Sequence, residues 1–569
     1  MKLVSRWCFT LLVAVSVVNA EPVNKPVSSK EAKRLAMAAI TDEAALVALK
    51  DITEGRPIRD LALYHRALQV FDGALRNPRY PLGARPEFLA ILKAVKALPS
   101  PAFGPDKPLF HFRDNQPAAL RVLLDWSANP ADLRAAVPAK HPSADLYPGL
   151  VPPDAARLSE SIAIDTNRYG WISTGLYAPA GERVTIVVPD GLVGKRIKIR
   201  IGANTAALCL WADAGTKLTR FPKIDGDRVL TTRVTEFGNA FGGPIYLDLP
   251  DRPGFDRGKA DCISPAGPYV QPKASRTNIR ISGAVRMPYF VLGQTRPATW
   301  KTTLRDLPAP IAEWATDKII FTLPAKFIRT VDDPSASLQT WDKLQDANAW
   351  LSGRSETRPM PMRVAIDAAV KYGEAYATYP ICAPFYWTPP IVAGKPGWGH
   401  AHEIGHLHQR REWTFQGCGE VTVNLFSMYA LSQTAGDTNR QHALTSSRSV
   451  EKWFKQTPAE RDWTRNGDVW GKLSFYCQLV DAFGWEPLRD VLAGYRAKPF
   501  QGDDVARGGE FMLRLSKRLG KNMAPFFKEW GVQFPASCVD QVNTLPVWMP
   551  TDHNLNRNLN HNLPDTKKG

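Results

Sequence analysis

The stretch Gly397–Gln409 reads GWGHAHEIGHLHQ, and at its centre His402-Glu403-Ile404-Gly405-His406 forms an HExxH motif. Residues i and i+4 of a helix share a face, so both imidazoles can be presented to one point in space. Two imidazoles converging in this way suit two corners of a tetrahedral zinc site. Glu403, one position on from the first histidine, is placed to take a proton from a water held there. Zinc brings the pKa of such a water to roughly 7, which makes it a nucleophile at neutral pH. The bland reading is two solvent-facing or core histidines flanking a helical glutamate, since a bare HExxH arises by chance in many helices.

A hydrolytic zinc needs a third protein ligand. Glu420 follows with thirteen residues between it and His406, at the head of an apolar run (Val421, Val423, Leu425, Phe426) that reads as a second helix. Asn424 lies one turn further on, where its amide can hold the far nitrogen of a ligand histidine. Two histidines and a glutamate on consecutive antiparallel helices form the gluzincin arrangement, with one Zn2+ per chain. His408 lies about 240° round the helix from His402 at 3.6 residues per turn, which is poor placement for a ligand.

The flanking residues carry a resemblance. GWGHAHEIGHLHQ followed by GEVTVNLFSMYA (Gly419–Ala430) resembles the enhancin-like, mucin-degrading zinc metallopeptidases, peptidase family M-60. Further matching pieces lie in order along the chain: WISTGLYAPAGE (Trp171–Glu182), FGGPIYLDLP (Phe241–Pro250), PYFVLG (Pro288–Gly293), TYPICAP (Thr378–Pro384), FYCQLVDAFGWEP (Phe475–Pro487) and PFFKEWGV (Pro525–Val532). The resemblance spans about Ile162 to Pro550 and leaves the first 150 residues uncovered. It implies a secreted enzyme that cuts the backbone of mucin-type O-glycoproteins next to a glycosylated Ser or Thr, with O-glycosylated mucin-like glycoproteins as partners. It implies zinc on His402, His406 and Glu420, with Glu403 as the general base. A broad-specificity zinc endopeptidase and a glycan-binding adhesin on an inactive peptidase fold are the alternatives. The intact general base argues against the second, because a binder has no use for it.

Working outward, 569 residues exceed one core and predict several domains. The expected fold is α+β and multidomain. A helical N-terminal domain occupies 21–150, an antiparallel β-sandwich lobe 151–283 and a mainly helical gluzincin-type catalytic domain 284–550. Residues 1–20 read as a secretory signal, with Lys2 and Arg6 before the apolar Trp7–Val18 and a small-residue site at Ala20. That predicts an extracellular or periplasmic protein, and no stretch is long and apolar enough to span a membrane. Residues 551–569 are rich in Asn, His and Lys and read as a disordered tail.

In the helical part, Ser28 with Glu31 makes a capping box. A helix is expected from Asp42 towards Gly55, another between Pro86 and Pro99, and a third over Gln116–Trp126. Between about Ile162 and Ser282 the period becomes two: Ile197, Ile199 and Ile201 alternate with Lys198 and Arg200, and Ile245, Leu247 and Leu249 with Tyr246 and Asp248. Further on, Asp332-Asp333-Pro334 reads as a cap, Val364–Ile366 as a strand, and Leu473–Phe483 as a helix stopped by Gly484.

On that last helix Tyr476 is a candidate for polarising the scissile carbonyl. Trp387, Trp398 and His400 are candidate substrate contacts. Six cysteines remain beyond the signal: Cys209, Cys262, Cys382, Cys418, Cys477 and Cys538. An even number in an exported chain predicts disulfides, and a Cys382–Cys418 bridge would brace the zinc helices; buried thiols are the other reading. The net charge of +17 fits attraction to anionic glycans or simply a solvated basic surface. No nucleic-acid motif and no obligate protein partner can be read.

Overall fold

The computed structural model describes residues 39–134, 137–208, 215–250, 273–354, 358–370, 374–435, 447–457, 459–464 and 468–550. The expected signal at 1–20, the Ser28–Glu31 capping box, Cys209, Cys262 and the tail at 551–569 lie outside these residues. Two compact units make up the chain, one ending at Leu92 and one beginning at Lys93.

The first unit is helical. Helix α1 (Asp42–Thr53) starts where Thr41 accepts the Ala44 N–H, with Asp42 and Glu43 favouring the positive helix end. Helix α2 (Leu61–Arg76) is capped in the same way by Asp60. Leu46, Leu49 and Ile52 of α1, and Tyr64, Leu68 and Phe71 of α2, are buried. Helix α3 (Pro86–Ala97) runs on into the second unit.

The helical domain expected to end at 150 is therefore shorter than the sequence implied. Helix α4 (Gln116–Ser127) and the segment after it belong to the second unit. The backbone shows why: Ala240 N donates to Pro130 O, His141 N donates to Ala240 O, and the Tyr147 hydroxyl donates to Ile366 O. Those bonds tie Pro130, His141 and Tyr147 to residues far ahead in the chain.

Eight antiparallel strands form the β-lobe: β1 (Leu158–Asp165), β2 (Gly170–Ala178), β3 (Val184–Val187), β4 (Lys198–Ile201), β5 (Gly226–Val229), β6 (Val234–Phe237), β7 (Gly243–Leu249) and β8 (Arg276–Arg286). Their order is β5-β4-β7-β2-β8-β3-β6, with β1 also on β8. Strand β8 joins two layers, pairing with β1 over Arg276–Ala284, with β3 over Arg280–Ser282 and with β2 through Val285 and Arg286. It runs through the expected 283/284 boundary. Ile186, Ile279 and Ile281 from one layer pack with Ile199, Ile245 and Leu247 from the other in a single core.

A second sheet follows: β9 (Tyr289–Val291), β10 (Ile311–Ala315), β11 (Ile319–Pro324), β12 (Met362–Asp367) and β13 (Ile381–Pro384), in that order. Only the β10–β11 pair is antiparallel. Every residue of β10, β11 and β12 is buried, as expected for strands covered on both faces.

Helix α5 (Ser335–Leu351) lies between β11 and β12 in sequence, and α6 (Trp398–His406), α7 (Gly419–Thr434), α8 (Val469–Phe483), α9 (Glu486–Ala497) and α10 (Asp504–Leu519) follow β13. Asp333 accepts the Ser335 N–H at 2.9 Å at the start of α5, and Gly484 ends α8 at φ +76°. An aromatic core including Trp413, Trp463, Phe475, Tyr476, Phe511 and Trp530 holds the C-terminal helices together. Among the described residues no helix is long and apolar enough to cross a membrane.

The expected disulfide between Cys382 and Cys418 is absent. Cys382 sits on β13 with its thiol 4.0 Å from an Asp367 oxygen. Cys418 is buried in the helical core, accepting the Trp463 indole N–H at 3.3 Å. Cys477 and Cys538 are also buried, and no disulfide joins any of these four.

Candidate active site

Helices α6 and α7 cross closely because residue 405 is a glycine. A Cβ there would lie 2.9 Å from the Phe426 Cβ and 3.2 Å from the Val423 carbonyl. This approach brings the first turns of α7 beneath the HExxH face. His402 Nε2 lies 3.1 Å from His406 Nε2, and Glu420 Oε2 lies 3.1 Å from the first and 3.6 Å from the second.

The far side of each ring settles its tautomer. Asn424 donates its Nδ2 to the Glu420 carbonyl at 2.9 Å, which leaves Oδ1 to accept from His402 Nδ1 at 2.8 Å. Gln409 donates its Nε2 to Gly419 O at 2.7 Å and to Thr422 Oγ1 at 2.6 Å, so its Oε1 accepts from His406 Nδ1 at 2.7 Å. Both rings thus carry hydrogen on Nδ1 and point an Nε2 lone pair at the same spot as a carboxylate oxygen. In their neutral form, rings held in this way offer two Nε2 lone pairs and a carboxylate oxygen to one cation. Three donors on a tetrahedral zinc with bonds of about 2.0–2.1 Å stand about 3.3 Å apart, so the observed triangle fits that metal.

Hydrogen bonds from His402 and His406 hold Glu420 well below the usual carboxylate range. Burial disfavours charge on His406, but hydrogen bonds to Glu420 and Gln409 outweigh it and raise its pKa. Burial raises the Glu403 carboxyl above its ordinary value, opposed by His406 and His402 and helped by Glu420. The Ala377 N–H also faces that carboxylate.

A cleft of about 820 Å³ opens above these groups. One wall is His402, Glu403, His406 and Glu420 with the segment Ala375–Tyr379; Trp171, Arg200, Thr205 and Asp248 of the β-lobe form the other. The strand register explains the second wall. Trp171 pairs with Asp248 and Asp248 with Lys198, while Ser173 pairs with Tyr246 and Tyr246 with Arg200. These residues occupy the non-core face of the lobe, and that face looks into the cleft. The Arg200 guanidinium lies 4.4 Å from the Trp171 ring centre and bonds Asp225 at 2.8 Å and Asp227 at 2.7 Å.

Four sequence-level assignments need correction. Tyr476 is wholly buried in the aromatic core beside Cys418 and lines no part of the cleft. His400 accepts the Gly397 N–H and is packed 4.2 Å from the Trp387 ring and 5.4 Å from that of Trp341, so it closes the start of α6. Trp387 is buried under that same helix start. Trp398 packs on Trp470 between the two cores and is not in the cleft wall. His408 is buried too, with Nδ1 3.2 Å from the Ser352 hydroxyl. Trp171, Arg200 and Asp248 were not singled out from sequence, nor was Gln409, although WISTGLYAPAGE and the alternation around Arg200 and Asp248 marked the ground.

The sequence profile of Peptidase M60, enhancin and enhancin-like, matches residues 283–531, and that of the N-terminal domain of M60-like peptidases matches residues 153–258. The chain belongs to the M60 peptidase family. M60 metallopeptidases are zinc-dependent. Two similar relatives are TRPM8 channel-associated factor 3 of Rattus norvegicus, 31% identical over 419 residues (70% of this chain, 42% of that protein), and TRPM8 channel-associated factor 1 of Homo sapiens, 28% identical over 411 residues (69% and 42%). The chain thus spans about 42% of the length of these curated relatives. The M60 fold is shared with the IMPa metallopeptidase of Pseudomonas aeruginosa, solved in complex with an O-glycopeptide: TM-score 0.54 and 15% identity over 89% of this chain and 64% of that one. A functionally unknown conserved protein from Bacillus anthracis str. Ames matches with TM-score 0.52 and 21% identity over 69% and 82%.

Proposed function

We propose that this chain is a zinc metallopeptidase that hydrolyses the backbone of mucin-type O-glycoproteins next to a glycosylated Ser or Thr. The observation that carries the reading is the make-up of the cleft, with a metal-binding triad and a carboxyl group on one wall and a polar, aromatic face on the other. His402, His406 and Glu420 would hold the zinc, and Asn424 and Gln409 fix the two rings. Bound there, zinc supplies the Lewis acidity that makes a water nucleophilic near neutral pH and polarises a carbonyl. Glu403 takes the proton of the attacking water and delivers it to the leaving amine.

The opposite wall supports the choice of substrate. A sugar ring offers hydroxyls that both donate and accept, together with an apolar C–H face. Arg200, Asp248 and Trp171 supply a donor, an acceptor and a ring. The structural neighbour IMPa was solved with an O-glycopeptide and with T-antigen, which favours the same class of ligand here. The signal read at residues 1–20 fits action outside the cell or in a periplasm. Incubation with an O-glycosylated mucin, before and after enzymatic glycan removal and with a chelator control, tests the proposal. Cleavage confined to the glycosylated, metal-replete reaction is expected; equal cleavage of both forms would leave only a broad-specificity endopeptidase.

The second reading is a binding module on the same fold. The relatives' name, channel-associated factor, favours it. Retained binding of an O-glycopeptide with no turnover in any metal-replete condition would select it.

A further inference from the structure

Behind the cleft, a buried ion pair joins the two lobes. Arg363 on β12 and Glu313 on β10 pair with both side chains fully buried. Glu313 Oε1 also accepts from Tyr246 of β7 at 2.8 Å and from Thr322 of β11 at 2.9 Å. Tyr246 thereby reaches from the β-lobe into the second sheet.

The Arg363 guanidinium touches both walls. On the β-lobe side one nitrogen donates to the Ser173 hydroxyl at 2.9 Å and lies 3.5 Å from the Trp171 carbonyl. The guanidinium carbon stands 4.7 Å from the Tyr246 ring centre and 5.7 Å from that of Trp171. On the other side lies Tyr379, close enough to favour the guanidinium's charge. Trp171 and Tyr379 are themselves in edge contact at 5.6 Å, and both line the cleft. One planar group with donors in a fixed fork thus touches a wall residue of each lobe.

Stability alone is a poor reason for such a pair. Removing two charges from water costs as much as their attraction returns, and apolar residues of similar volume commonly do as well. What the pair adds is direction, since a fork that must meet Glu313 and Ser173 together, beside the Trp171 and Tyr379 rings, permits one relative placement of their strands. We infer that Arg363 is a positioning residue: held by Glu313 and Tyr246, it aligns the Trp171 wall with the Tyr379 wall and thereby sets how substrate lies over the metal-binding triad. This deepens the peptidase reading above and rests on it for its kinetic consequence.

The test uses the full chain loaded with zinc and two variants, Tyr246→Phe and Arg363→Lys. The first keeps both charges and removes one hydroxyl from Glu313; the second keeps the charge and loses the fork. Hydrogen–deuterium exchange should quicken in both walls, at Gly170–Ser173 and at Ala377–Tyr379, with the zinc content unchanged. With an O-glycopeptide, KM should rise about threefold to tenfold, the scale of one net hydrogen bond, while kcat stays within about twofold. Exchange unchanged at either wall overturns the inference, as does a fall in kcat with KM unmoved. Should Arg363→Lys fail to fold, Tyr246→Phe decides alone. A wild-type chain that neither binds nor cuts the glycopeptide defeats the peptidase reading, and the exchange result then decides the positioning claim by itself.

Discussion

His402 and His406 are shaped as much by what lies behind them as by what they face. Each Nδ1 is held by an amide oxygen whose own nitrogen is already committed, Asn424 to the Glu420 carbonyl and Gln409 to Gly419 and Thr422. Neither amide can flip without losing those bonds, so neither ring can turn its lone pair away from Glu420. Asn424→Ala and Gln409→Ala should each weaken zinc binding by about 10- to 100-fold, the range seen for such supporting partners. Competition with a chelator of known affinity measures this, and zinc affinity equal to wild type in both variants would contradict it. Glu403 belongs to a different class, because it faces the cleft without being one of the three converging donors.

Among elements, the crossing of α6 and α7 matters most, and Gly405 sets its distance. A methyl group there meets Phe426 and the Val423 carbonyl, backbone that cannot step aside cheaply. Gly405→Ala should cost roughly 1–3 kcal/mol by overpacking. It should also reduce zinc occupancy, since Glu420 and Asn424 ride on the displaced helix. Denaturant unfolding with metal analysis checks this, and full stability with full zinc would count against it. The crossing itself was legible in sequence, because HExxH and the apolar run after Glu420 each have helical period and each mark one face. The cleft wall was not. Alternation identified Arg200, Tyr246 and Asp248 as the non-core face of their strands, but a strand's own residues do not say whether that face meets water or another lobe. Tyr476 failed for the opposite reason: α8 is buried on nearly every side, so periodicity assigns its tyrosine to no face.

At the scale of the whole molecule, burial of neutral histidines governs the response to acid. Burial lowers His141 and His400 to about 4 and puts His408 well below its ordinary value, with Arg354, Arg358 and Arg496 adding to the last. All three lie below the unfolded value of about 6.5, so the unfolded chain binds more protons in the interval between. Their contribution is complete above pH 6.5 and is lost as pH falls towards 4, by about 3 kcal/mol each for His141 and His400. Asp342, raised to about 6 by burial, runs the other way, as do the raised Glu403 and His406, but the shifts of His141, His400 and His408 are together the larger. The urea midpoint should therefore drop between pH 7 and pH 5, and a midpoint that holds constant would contradict this. The lobe order also had a sequence signature, in the switch from period 3.6 to period two and back. The end of the helical unit had none, because the bonds that draw 130–147 into the second unit reach partners about 100 to 220 residues ahead. The most direct test of the central claim compares the wild-type chain with Glu403→Gln, measuring zinc per chain by elemental analysis and cleavage of an O-glycosylated mucin in the same preparations. One zinc in each, with cleavage by the wild type alone, is the expected result; cleavage by Glu403→Gln, or a wild type that holds no zinc, would contradict it.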